Sequence, residues 1–484
     1  MTAATDPRRR WLALIVLCLG VLMIVLDTTI VNVALPSIRE DLRFTENSLV
    51  WVVNAYMLTF GGFLLLGGRL GDLYGYRRVF LAGIALFTLA SLACGLARSQ
   101  DVLIGARAIQ GVGGAVVSAG ALSLIMNLFT DAVERAKAMG VYGFVCAGGG
   151  TLGVLLGGLL TSALSWHWIF LVNLPIGVGV YAVARTWVPR DGGSAQRARL
   201  DLAGAVTITA STMCAVYAIV NGNQAGWTSS QSVGLLAAAS CLFAVFLSIE
   251  AQARHPLVPL ALFGLRNLAT ANVIGVLWAA AMFAWFFISA LYLQSVLGYN
   301  ALRVGLAFLP ANLIMAAFSL GLSAKLVVRF GLKAPLAVGL SLAALGLLLF
   351  AYAPAADSLF THVMPGMVLL GLGAGIAFNP VLLAALGDVE PHQTGLASGV
   401  VNTSFMMGGA LGLAVLASLA ASRTQDLVAS GIGEPLARNA GYHLAFGTGA
   451  CFAAVAAVIG LWLLRPRTRA ATQARDDIAE WESV

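Results

Sequence analysis

Asp27 and Arg107 are ionisable residues set inside apolar stretches long enough to cross a lipid bilayer. A charge at membrane depth costs about 2.5 to 3.5 kcal/mol on insertion scales, so such groups face a cavity or one another and mark ion paths. With a rise of 1.5 Å per residue, Asp27 lies about 22 Å into its span and Arg107 about 8 Å into one running the opposite way, so both sit roughly 8 Å from the same edge of a ~30 Å core. Opposite charges at matching depth can pair. A guanidinium favours the ionised carboxylate and desolvation favours the neutral one, and a proton carrier needs that contest. The alternative is a permanent ion pair that only holds two helices together.

Other residues could serve the same chemistry. Gln110, Gly111, Gly114 and Ser118 follow Arg107 at helical spacing and make one polar, small face. Gly149, Gly153 and Gly157, with Gly150 and Gly158 beside them, form a ridge suited either to close helix packing or to gating. Residues 67–78 mix glycine with charge in a short loop; Gly68, Asp72, Gly75, Arg77 and Arg78 there resemble a latch that breaks when parts of the molecule move. A negative group is unfavourable after a helix C-terminus, so Asp72 is expected to attract another helix's positive end or an arginine.

Aromatic and amide residues suggest where cargo would bind. Trp278 and Trp285 are seven apart, hence on one helix face, and lie deep with Phe283, Phe286, Phe287 and Tyr292 around them. Such a wall can hold lipophilic or cationic compounds by stacking and cation–π contact, or it can simply face lipid. Asn32, Asn54, Tyr56, Gln110, Asn312, Asn379 and Asn402 are candidate polar contacts, several of which could instead bond neighbouring helices.

The elements that position these residues follow from composition. Of the 484 residues, 60% are hydrophobic and 10% charged, far from the roughly 25% charged usage of soluble domains. Fourteen apolar spans are expected, near 11–34, 49–70, 79–96, 102–125, 138–161, 168–187, 202–221, 232–249, 269–293, 304–327, 334–352, 359–386, 396–420 and 442–464. Polar breaks divide them into six, two and six. Pro189, Arg190, Asp191, Arg197 and Arg199 follow the sixth span, and Arg254, Pro256, Pro259 and Arg266 follow the eighth. The expected organisation is an N-terminal six-helix bundle over 1–188, a linker and two-helix insert over 189–266, a C-terminal six-helix bundle over 267–466 and a tail over 467–484.

Basic residues concentrate in alternate loops, among them Arg8, Arg9, Arg10, Arg69, Arg77, Arg78, Arg135 and Lys137. Arg39, Arg43, Arg98, Arg303, Arg423 and Arg438 fall on the other side. The positive-inside rule then makes both termini cytoplasmic, which requires an even number of spans, and accounts for the net charge of +7 without a nucleic-acid partner. The six cysteines are scattered singly without metal-like spacing and read as small hydrophobes. No metal site is expected.

The charged loop and its surroundings carry a resemblance. Gly68, Leu70, Gly71, Asp72, Gly75, Arg77 and Arg78 match the loop signature of the major facilitator superfamily, which the chain resembles over nearly its whole length, in particular the fourteen-span drug and proton antiporter branch. Residues 26–36 are similar to that branch's first-helix motif, and Arg107, Gln110, Gly111, Gly113 and Gly114 to the fourth-helix motif to which the family attaches proton transfer. Gly149, Gly153, Gly157 and Gly158 match the fifth-helix antiporter motif, with Val154 where a proline is usual, which leaves the helix straighter. Leu73 and Tyr76 stand where the loop motif usually has basic residues, and residues 321–333 look like a faded second copy of that loop. The resemblance implies an all-α membrane fold of two six-helix bundles with two extra helices between them. It also implies substrate near the midplane and alternating access by rocking.

The expected function is proton-coupled export of hydrophobic or amphipathic small molecules across the cell membrane, with membrane lipids and protons as the other partners and a monomer as the working unit. A lipid or an endogenous metabolite is the alternative cargo. No Gly-rich phosphate loop with Lys and Ser or Thr is present, so the energy must come from an ion gradient or from the substrate's own gradient, and no bound cofactor is expected. His167, His255, His362, His392 and His443 each fall in a different loop or span end, which argues against a membrane-embedded enzyme. The short tail argues against a sensor.

Overall fold

Runs of Leu, Val, Ala and Gly in lipid leave the backbone no water to bond, so each N–H and C=O must find its partner within a helix. The computed structural model describes residues 7–129, 131–189, 201–253, 256, 258–318, 322–355, 359–389 and 394–465, and they form helices with no strand among them. In chain order the helices are α1 (Pro7–Leu42), α2 (Glu46–Tyr74), α3 (Tyr76–Gly95), α4 (Gln100–Leu128), α5 (Ala132–Ala163), α6 (Trp168–Leu171) and α7 (Asn173–Trp187). Then come α8 (Leu202–Ala225) and α9 (Ser230–Gln252). The last group is α10 (Arg266–Ser295), α11 (Ala301–Ala317), α12 (Ser323–Phe330), α13 (Lys333–Ala351), α14 (Met364–Leu386), α15 (Thr394–Ala429) and α16 (Glu434–Leu463).

Polar residues punctuate the apolar runs. Thr45 and Ser48 form a reciprocal capping box that starts α2, and Ser99, Asp201, Ser229 and Asn300 accept from backbone N–H groups at the starts of α4, α8, α9 and α11. Gly75 joins α2 to α3 at φ 91°, a conformation that a Cβ would strain. Among the described residues eleven helical segments are long and apolar enough to cross a membrane, with shorter apolar helices over Ser48–Leu64, Gly148–Ala163 and Ala301–Ala317. Over the span expected at 304–327, α11 runs to Ala317 and α12 begins at Ser323, Phe318 and Leu322 are helical as well, and residues 319–321 lie outside the described residues. The helix α5 runs unbroken through Val154. Nearly all of the expected linker over 189–200, and the whole tail over 467–484, lie outside the described residues.

Helices α1–α7 pack on one another, as do α10–α16, and the two groups meet along α5 with α11 and along α2 with α15. Gln294 Nε2 donates to the Val33 carbonyl at 3.0 Å, and Arg39 donates to Ser295 Oγ at 3.4 Å, so the ends of α1 and α10 lie together. This is the distal end; α1 begins and α16 finishes at the opposite, proximal end. The helix α8 lies against both α2 and α15 and covers their seam, whereas α9 packs on α8 and is otherwise mostly exposed.

Candidate functional site

Five helical elements converge on one buried polar cluster. Arg107 Nη1 of α4 lies 2.5 Å from Asp27 Oδ2 of α1, with side-chain exposures of 1% and 0%. Its Nε donates to the Val52 carbonyl of α2 at 2.9 Å, and Nη1 also donates to Gln110 Oε1 at 2.7 Å. Gln110 Nε2 donates to Asp27 Oδ1 at 2.7 Å and to Ser91 Oγ of α3 at 2.8 Å. Asn173 Nδ2, at the start of α7, donates to the same Asp27 oxygen at 3.1 Å. The guanidinium also lies 4.4 Å from the ring centroid of Tyr56 and 5.7 Å from that of Phe170 of α6, within cation–π reach.

This geometry sets the chemistry available. Each of these polar contacts to Asp27 is a donor, so the site is complementary to a carboxylate. A neutral carboxyl would aim its O–H at a donor unless Arg107, Gln110 or Asn173 moved. Protonating Asp27 would therefore require the donor side chains of α4 or α7 to move. Taking one partner of such a buried pair away costs about 3 to 5 kcal/mol because the other charge is left uncompensated.

The glycine ridge on α5 is what brings α1 into register with the cluster. A Cβ on Gly149 would sit 3.0 Å from Leu22 and Val25, on Gly153 2.9 Å from the Leu26 carbonyl, and on Gly157 2.7 Å from the Ile30 carbonyl. The three glycines thus meet α1 on both sides of Asp27. Gly158 points elsewhere, with a Cβ position 2.8 Å from the Ala301 carbonyl of α11 in the other group.

The loop expected over 67–78 is instead helical on both sides of Gly75, with α2 running to Tyr74 and α3 starting at Tyr76; Arg77, in the first turn of α3, donates to the Arg185 carbonyl at the end of α7, where helix carbonyls are unsatisfied. Gly68 has open space around its Cβ position, Arg78 is exposed, and the side chain of Asp72 lies outside the described residues. The Arg77 contact stays within the first helix group, whereas a latch was expected to break as parts of the molecule move.

The residues expected to line a cavity separate into three sets. Tyr56 and Gln110 belong to the charge cluster. Asn32 donates to Thr28 of its own helix, and Asn54 donates to the Ala410 carbonyl at 3.0 Å, tying α2 to α15. Trp278 and Trp285, read as a wall for cargo or as a lipid-facing stripe, are 1% and 0% exposed and so do not face lipid, because α14, α15 and α16 close around α10. Trp285 packs against Phe286 and Phe308. Asn312 is buried, Asn379 half-buried, and Asn402 exposed and bonded to the Ser398 carbonyl.

A different aromatic set spans three helices. Phe405 of α15 lies 5.9 Å from Phe283 of α10 and 6.4 Å from Phe378 of α14, measured between ring centroids. Phe378 is 50% exposed. A Cβ on Gly409 would touch both Phe283 and Met57 of α2, so this cluster lies beside the seam between the two groups. Phe378, Phe405, Ser91 and Asn173 had no spacing signal in the sequence, since each stands on a helix distant in the chain from its partner. At the distal end a cavity of about 610 Å³ is lined by Arg39, Glu40, Gln294, Ser295, Asn300 and Arg438 among others. Among the described residues no group of His, Cys, Asp and Glu could hold a metal ion.

Comparisons with known proteins agree with this architecture. A family model for the Major Facilitator Superfamily matches residues 17–413. A puromycin resistance protein of Streptomyces alboniger is 37% identical over 97% of this chain and 94% of its own length. A cephamycin export protein of Amycolatopsis lactamdurans is 38% identical over 85% of each chain. Among solved structures, a bacterial homologue of the human lysosomal transporter Spinster, in an inward-facing and unoccupied conformation, superposes with a TM-score of 0.66. It has 17% identity and covers 94% of this chain and 97% of its own; at that identity the likeness concerns the fold.

Proposed function

This chain belongs to the Major Facilitator Superfamily, and we propose that it is a proton-coupled exporter of hydrophobic or amphipathic small molecules, antibiotics among them. It is a multi-pass protein of the cell membrane. Relatives named for puromycin resistance and cephamycin export support the cargo class. The observation that carries the proton part is the Asp27–Arg107 pair, buried together and held by Gln110 and Asn173.

In this reading fourteen helical passes cross the bilayer, matching eleven long apolar segments plus three shorter ones, and both termini are cytoplasmic. The distal end is then the outer face. Asp27 takes a proton when that face opens, weakening its hold on Arg107, and gives it up when the proximal face opens. Cargo and proton alternate. No bound cofactor is involved, and one copy suffices.

The test is transport of ethidium and puromycin in vesicles holding the purified chain, with a pH gradient imposed. Wild type is expected to move cargo against its gradient only when the proton gradient is present. Asp27→Asn is expected to abolish that uphill transport while retaining cargo binding. Undiminished uphill transport by Asp27→Asn would sink the mechanism.

A further inference from the structure

Helices α5 and α11 meet across the seam in antiparallel register. Gly158 stands opposite Ala301 and Leu302, and Val154 opposite Gly305. Carrying that register one turn away from the distal end sets Thr151 opposite Phe308. Asn312 is seven residues from Gly305, hence on the same face of α11, one turn beyond Phe308. The Trp285 ring lies 5.8 Å from that of Phe308. Side chains lean toward the N-terminus of their own helix, so Trp285 leans away from the distal end and Asn312 toward it, which brings the two to one level.

Among the described residues, three polar atoms in this region have no hydrogen-bond partner: Thr151 Oγ1, Trp285 Nε1 and Asn312 Nδ2. Their residues are 9%, 0% and 5% exposed. A buried donor left unsatisfied is destabilising; others occur elsewhere, Trp278 Nε1 and Ser289 Oγ of α10 among them, and what sets these three apart is that they come from helices of both groups at one level of the seam. Two are obligate donors, and the hydroxyl can be one, so the complement is an oxygen acceptor without a proton to give. The charge cluster on α1 and α4 is separate.

We propose that Thr151, Trp285 and Asn312 form a hydrogen-bonding subsite, bridging the two helix groups across the α5–α11 seam, for carbonyl or ether oxygens of neutral portions of the cargo. This rests on the exporter reading and sharpens it. Cargo held there contacts α5 from one group and α10 and α11 from the other, so its departure accompanies separation of the seam.

The experiment measures binding to the purified full chain in lipid nanodiscs. One probe is puromycin, which carries amide and ether oxygens, and the other is ethidium, a flat cation with neither. Thr151→Val, Trp285→Phe and Asn312→Leu are each expected to lower puromycin affinity by about tenfold, the scale of one lost hydrogen bond, and to change ethidium affinity by less than about twofold. Melting temperatures of Thr151→Val and Asn312→Leu without cargo should stay level or rise, because each removes an unsatisfied polar group, whereas Trp285→Phe also leaves a void beside Phe286 and Phe308 and is read by the two probes alone. Equal losses for both probes, unchanged puromycin affinity, or a lowered melting temperature of Thr151→Val or Asn312→Leu without cargo overturns the subsite. If wild type binds and moves neither probe, the exporter reading itself fails, and the subsite with it.

Discussion

Asn173 donates to Oδ1 of Asp27 at 3.1 Å, the same oxygen that Gln110 reaches from α4, so one carboxylate oxygen is shared by amides from two helices. The first position of α7 is thereby tied to the middle of α1. A helix whose one charged residue, Arg185, stands far off in its last turn becomes part of the ion-pair site.

Replacing Asn173 by Leu keeps the branched outline and withdraws one donor from a buried carboxylate, a loss of about 1 to 3 kcal/mol. The expected result is a lower melting temperature together with reduced proton-driven efflux. Calorimetry and dye efflux on the same preparation measure both, and an unaltered variant would remove Asn173 from the site.

The ion pair itself calls for a double-mutant cycle. Arg107→Met leaves Asp27 buried alone and should destabilise by about 3 to 5 kcal/mol, with Asp27→Asn less severe. The combined variant should recover most of the lost stability, since both charges are gone. Uphill transport should not return. Recovery of transport along with stability would mean that the pair only holds helices together.

On α5 two glycines separate packing from flexibility. A Cβ at Gly153 would meet the Leu26 carbonyl at 2.9 Å and Thr29 Oγ1 closer still, so Gly153→Ala should push α5 off α1 and lower stability by about 1 to 3 kcal/mol. Gly148 has nothing within 4 Å of its Cβ position. Gly148→Ala should therefore be neutral or stabilising by up to about 1 kcal/mol. Equal effects at the two positions, read as melting temperatures, would refute the packing account.

The seating of α8 depends on Gly62, where a Cβ would lie 1.8 Å from Thr209 Oγ1. Gly62→Ala should lower the melting temperature, and adding Thr209→Ala should restore part of it, because the nearest obstacle is a side chain rather than backbone. Thermal shift assays on the single and double variants decide the point.

Much of this site was legible beforehand. Asp27 and Arg107 stood out because a charge in an apolar span has few innocent explanations, and matching depth on antiparallel spans made them partners. The ridge of Gly149, Gly153 and Gly157 was legible as a packing face, since a spacing of four is a local property of one helix. Ser91 and Asn173 were not, because an isolated serine or asparagine in an apolar run carries no depth or partner signal. Trp278 and Trp285 show the opposite limit: sharing a helix face says that two rings point the same way, not whether that way is open.

The amino-acid sequence by itself determined a chain of apolar spans, their grouping, and the two charges that must meet, because lipid requires long helices and penalises unpaired ions wherever they sit. Only the tertiary structure decided which donors complete the Asp27 shell and that α8 covers the seam of α2 and α15. It alone placed Phe283, Phe378 and Phe405 together. Those outcomes depend on how helices rotate and tilt against one another, and that is set by contacts between residues hundreds of positions apart rather than by the periodicity of any one segment.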